Sequence, residues 1–68
     1  MTGYRITRDG TILTRPGGQP LGFVFKVDAA FRQLGRWRAE VGDPSEPETY
    51  RAVYARTRRE AVEEALRP

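Results

Sequence analysis

The chain contains no cysteine and no histidine. Those absences exclude disulfide staples, thiol nucleophiles and the usual zinc ligands, together with the side chain best suited to proton transfer near neutral pH. Any reaction would rest on carboxylates, arginines or tyrosines. The 68 residues form one domain, and a chain this short hides only about 60% of its unfolded surface on folding, too little for a deep catalytic cleft. The sequence therefore points away from an enzyme, a metal site or a cofactor. No apolar run approaches the roughly 18 residues of a membrane span. The opening MTGYRITRDG lacks the apolar core of a signal peptide, so a cytoplasmic protein with no membrane partner is expected.

Lysine is scarce as well. Eleven of the twelve basic residues are arginine, against nine acids, for a net charge of +3. Arginine offers a rigid planar fork that matches phosphates and guanine edges, whereas lysine is a point charge. A GC-rich genome would produce the same bias, so arginine identity alone does not select a nucleic-acid partner.

Along the chain, YRITRDGTILTR carries Asp9-Gly10 between two β-prone runs, a hairpin signal. A two-residue turn would set Ile6 opposite Leu13 and Tyr4 opposite Arg15. The Pro- and Gly-rich RPGGQPLG then reads as a linker. Residues 1–20 are expected to be a marginal hairpin or a flexible arm, because an isolated two-stranded hairpin is rarely stable. Arg5, Arg8 and Arg15 would make that arm basic.

Residues 21–68 read as strand, strand, strand, helix. GFVFKVDA alternates with Phe23, Phe25 and Val27 on one side and Val24, Lys26 and Asp28 on the other, and the first set is expected to be buried. AAFRQLG follows as a connection anchored by Phe31 and Leu34. In GRWRAEVGDP, Trp37, Ala39 and Val41 share one parity and Arg36, Arg38 and Glu40 the other. The acidic GDPSEPET is a solvated loop, and YRAVYAR is a third strand with Tyr50, Ala52 and Tyr54 expected inside and Arg51 and Val53 outside. The period then changes: Thr57 and Glu60 form a capping box, Ala61, Val62, Ala65 and Leu66 make one helical stripe, and Glu63 and Arg67 pair on the outside. The expected α+β fold is a three-stranded antiparallel sheet packed against one C-terminal helix.

That arrangement leaves one sheet face bare, carrying Lys26, Asp28, Arg36, Arg38, Glu40 and Arg51. Such a face can enter a duplex major groove, with arginines on guanine edges or phosphates and Glu40 accepting from cytosine or holding an arginine. A solvated sheet with cross-strand ion pairs is the plain alternative. Arg56, Arg58 and Arg59 surround the helix start, where cations oppose the helix dipole and a phosphate could dock on the free amides. The competing arrangement there is an Arg59–Glu63 pair.

GRWRAEVGDP followed by YRAVYARTRREAVEEAL resembles the DNA-binding domain of the plant ethylene-response-factor (APETALA-type) transcription factors, and the related arm-type domain of phage and transposon tyrosine recombinases. Gly35, Arg36, Trp37, Ala39, Glu40, Val41, Asp43 and Pro44 match the family's middle strand, and Thr57 and Ala61 its helix entry. The resemblance spans roughly residues 22–66. It implies three strands on one helix, with Arg36, Arg38, Glu40 and Arg51 facing double-stranded DNA, and an origin in a phage or mobile element. The chain departs from the family in a first strand whose only cation is Lys26, in Gly42 where a basic residue is usual, and in a shorter helix. The leading expectation is a small DNA-binding module. The alternative is a protein-interaction or self-associating module that uses the open face, or exposed Val24, Val53 and Phe31.

Overall fold

The computed structural model describes residues 3–15 and 17–67, so Pro16, in the expected linker, lies outside it. Near the N-terminus the turn does form, but over three residues. Thr7 N–H donates to the Thr11 carbonyl at 2.9 Å, and Gly10 N–H donates to the Thr7 carbonyl at 3.1 Å. Gly10 takes φ 95°, the left-handed residue that closes an Arg8-Asp9-Gly10 loop. The hydroxyls of Thr7 and Thr11 both bind the Asp9 carboxylate. Those bonds, the Thr7 one foremost, hold the Asp9 carboxyl below its ordinary range.

The turn joins strands Gly3–Ile6 (β1) and Thr11–Arg15 (β2). Ile6 faces Ile12 and Tyr4 faces Thr14, one residue away from the register expected for a two-residue turn. The hairpin is not isolated: β2 pairs with Pro20–Lys26 (β3), β3 with Trp37–Val41 (β4), and β4 with Arg51–Ala55 (β5). The sheet is therefore antiparallel and five-stranded, in the order β1-β2-β3-β4-β5, which corrects the three strands expected. The missing contribution was the apolar joint between hairpin and sheet. Ile12 is fully buried there, and the hairpin gains the third strand that two strands need for stability.

The helix Arg58–Leu66 (α1) lies across β3, β4 and β5. Thr57 caps it by accepting from Glu60 N–H at 3.1 Å, and the Thr57 hydroxyl donates to the Glu60 carboxylate. Ala61, Val62 and Ala65 are its buried side chains, as the helical stripe predicts. They meet Val24, Ala39 and Val41, with Trp37, Val53 and Leu66 packed at the edge. Small and β-branched side chains on both sides let the helix lie close to the sheet. Arg67 pairs with Glu64 at 3.1 Å and not with Glu63.

The phase of β4 is as expected, with Trp37, Ala39 and Val41 beneath the helix. The phases of β3 and β5 are the reverse of the expectation. Val24 pairs with Ala39, and Ala39 with Val53, so these three share the covered face. Phe23 and Phe25 lie on the open face, 58% and 43% exposed, instead of in the core. Ala52 and Tyr54 join them there, across from Glu40 and Arg38. Val24 is buried and Val53 half-buried, so neither is the exposed valine of the interaction alternative. Once β4 commits its tryptophan side to the helix, register fixes which side of its neighbours follows.

Two long connections frame the open face. The first includes a short 3-10 helix, Ala29–Leu34, with no buried residue: Phe31 and Leu34 are 54% and 52% exposed, and neither anchors it. The second is the acidic loop after β4, where Asp43 accepts from Ser45 N–H and hydroxyl and its carboxyl is thereby lowered.

Candidate functional site

The open face is organised around Arg38. Its Nε donates to Glu40 Oε2 at 3.0 Å, and its two terminal nitrogens donate to the Tyr54 and Tyr50 hydroxyls at 2.6 and 3.4 Å. The Tyr50 hydroxyl in turn donates to Glu40 Oε1 at 3.0 Å, which closes a ring of Arg38, Glu40 and Tyr50, with Tyr54 bound to Arg38 outside it. Residues 38 and 40 share a parity on β4, and register brings Tyr54 across from Arg38, so adjacent strands supply this cluster. Hydrogen bonds to Tyr50 and Tyr54, ahead of the Glu40 charge, raise the Arg38 pKa above its ordinary value. Arg38 and Glu40 remain 27% and 30% exposed, so the guanidinium is held in one orientation yet reaches the surface. A hollow of about 410 Å3 opens beside it, lined by Phe25, Phe31, Arg38, Glu40 and Tyr54 among others.

At one end of this face the cations gather. The Trp37–Ala55 pair closes the β4–β5 ladder, and Arg36 and Arg56 emerge next to each other just beyond it. Arg36, Arg56 and Arg32 line a single recess. On its other side, Arg32 and Arg36 line a second, smaller recess with Lys26 and Val27. None of Lys26, Arg32, Arg36 and Arg56 makes an ion pair among the described residues. The acidic Asp43, Glu46 and Glu48 belong to the β4–β5 connection at the opposite end of the strands. The face is therefore polarised along its strands, positive at the 3-10 helix and negative at the other turn.

The residues expected to form the site separate into groups. Arg36, Arg38 and Glu40 stay together, with Arg56 beside them. Lys26 and Arg51 leave the open face, because β3 and β5 run in the opposite phase. The Lys26 ammonium lies 5.9 Å from the Trp37 ring centroid, on the helix side at the basic end. Arg51 turns to the C-terminus of α1, donating to the Ala65 and Arg67 carbonyls, which is where a cation complements the helix dipole. Arg59 pairs with Glu63 at 3.0 Å, the competing arrangement at the helix start, while Arg58 is exposed without an ion pair among the described residues. Arg5 and Arg8 are exposed in the hairpin. Arg15 ends β2, and its side chain lies outside the description.

Arg32, Tyr50 and Tyr54 were missed. Tyr50 and Tyr54 fit a buried apolar parity, and only the cross-strand partner Arg38 reveals them as polar. Arg32 sits in a stretch whose Phe31 and Leu34 suggest a buried connection, so nothing local marks it.

Among the described residues no group of three or more carboxylates is placed to hold a metal ion, and no helix is long and apolar enough to cross a membrane. Compared with known proteins, the chain matches no family model, no curated protein and no solved structure.

Proposed function

We propose that the protein is a DNA-binding module that sets the open face of β3–β5 into the major groove of a duplex and carries out no reaction. The observation that carries this reading is the cluster of Arg32, Arg36 and Arg56 around one recess, without carboxylate ion pairs among the described residues, next to an Arg38 already oriented by three neighbours. Like charges brought together repel one another, and a phosphate backbone removes that cost. A fixed guanidinium suits a guanine edge, and the exposed phenyl rings of Phe23 and Phe25 suit thymine methyl groups. The acidic β4–β5 loop would lie outside the footprint. The resemblance to the ethylene-response-factor domain supports the same orientation of Arg36, Arg38 and Glu40, though not of Arg51.

Binding to unrelated mixed-sequence duplexes, followed as salt is raised, tests the proposal. Affinity should fall steeply, and Arg36→Ala combined with Arg38→Ala should abolish most of it while the circular dichroism spectrum stays unchanged. A folded double variant that binds like the parent overturns it.

A second reading is favoured by one observation, the exposure of Phe23, Phe25, Phe31 and Leu34 around the same face. Contiguous apolar surface rimmed by polar groups suits a protein partner or a second copy of the chain. It predicts a complex insensitive to salt and lost in Phe23→Ser or Phe31→Ser, with Arg36→Ala silent.

A further inference from the structure

We infer that Lys26, Arg32 and Arg36 form a phosphate-binding subsite at the basic end of the sheet, and that Arg32 and Arg36 share a second phosphate with Arg56. The inference rests on the DNA-binding reading and deepens it by assigning the phosphate contacts to Arg36 and Arg56 at the end of the open face and to Lys26 and Arg32 outside it.

The recess between β3 and the start of β4 measures about 190 Å3, room for a phosphate group with part of its hydration, and its lining is Lys26, Val27, Arg32 and Arg36. Three of the four are cations and none is an acid. Asp28, the closest carboxylate in sequence, makes no ion pair with any of them among the described residues.

The Lys26 ammonium has a ring partner, and the main chain beneath both arginines is fixed by hydrogen bonds. Lys26 rests against the Trp37 ring. Arg36 lies where the Val27 N–H donates to the Arg36 carbonyl at 2.9 Å, extending the β3–β4 ladder to this end. Arg32 is carried by the 3-10 helix, in which Phe31 N–H donates to the Asp28 carbonyl and Gly35 N–H to the Arg32 carbonyl. The connection is thus braced at both ends while burying no side chain. A segment that contributes nothing to the core, yet is ordered by its own backbone bonds around three unneutralised cations, fits an oxyanion better than it fits packing.

The larger recess shares Arg32 and Arg36 and adds Arg56. Its one acid is Glu60, whose carboxylate accepts from the Thr57 hydroxyl at 3.1 Å. Two recesses with two cations in common are suited to successive phosphates of one strand. Arg38, behind them on the open face, then reads a base while the connection fixes the register of the strand.

Arg32→Ala and the pair Arg32→Ala with Lys26→Gln test the assignment. Neither change removes a buried group, and Gln keeps most of the stem against Trp37. In anisotropy titrations of labelled duplexes against salt, Arg32→Ala should weaken binding several-fold and equally on unrelated sequences, and should lower the logarithmic salt slope by about one, the pair by about two. A parent that binds duplex while both variants keep its slope overturns the subsite and leaves the DNA reading standing. Inorganic tripolyphosphate, titrated into the isotope-labelled parent, should shift the amide resonances of residues 26–36 and 56 and compete with duplex. Such shifts without any duplex binding support the anion subsite and remove DNA as the source of the phosphate. Shifts confined to residues 5–8 or 58–59 overturn the assignment.

Discussion

The Arg38 guanidinium donates to the Tyr54 hydroxyl at 2.6 Å while its central carbon lies 5.2 Å from the centroid of the same ring. One tyrosine thus supplies both an acceptor and a π surface to a single cation. Tyr54→Phe keeps the ring and removes the acceptor, so the charge of the open face is unchanged and only its aim is loosened. A lost hydrogen bond to a partly exposed charge costs about 0.5–1.5 kcal/mol. Duplex binding should weaken by about 2–10-fold with no change of salt slope, whereas Arg38→Ala should weaken binding further and relax any sequence preference.

Arg51 gives a test of the opposite kind. It lies on the helix side and binds the last carbonyls of α1. Arg51→Gln should lower the thermal midpoint by a few degrees, in line with about 0.3–1 kcal/mol for a cation at a helix C-terminus. Duplex affinity and salt slope should stay within error of the parent. A loss of affinity as large as that of Arg36→Ala would instead put Arg51 in the interface.

Gly10 is strained for any other residue. Its φ is 95°, and a Cβ there would run into the Val24 carbonyl, which sits against it because Val24 N–H donates to the Gly10 carbonyl at 2.8 Å. Gly10→Ala should destabilise the domain by more than about 1 kcal/mol. Amide exchange should speed up first across β1 and β2, since the hairpin must move away from β3 to admit the methyl group.

Tyr4 links the outermost strand to the helix, its hydroxyl donating to Glu63 at 3.4 Å. Burial first, and the Glu63 charge second, raise its pKa above the ordinary 10.0. The folded protein therefore holds this proton more tightly than the unfolded chain does. The resulting stability is complete below about pH 10 and is lost as pH rises through the folded value. Urea midpoints of the parent should fall more steeply above pH 10 than those of Tyr4→Phe.

Much of this architecture is legible in the residues. The Thr57–Glu60 cap and the spacing of Ala61, Val62 and Ala65 specify α1 and its buried side, and the alternation around Trp37 specifies β4. Residues 21–27 are harder, because Phe23 and Phe25 on one side and Val24 on the other are both apolar. Alternation shows that a strand exists there but not which side is covered. That choice is made by pairing across long connections, and such connections leave register open. The same uncertainty took Lys26 and Arg51 off the open face and hid Tyr54 within it. Arg32 enters through tertiary proximity alone, so no spacing rule reaches it.

Every strand in this sheet has its chain neighbour beside it. Contacts close in sequence reduce the entropy of loop closure, so such a meander can assemble by successive zippering, each hairpin templating the next. Only the final docking of α1 onto three strands at once spans a long stretch of chain. Nascent protein leaving the ribosome can therefore build its sheet progressively, with the hydrophobic underside left open until α1 emerges.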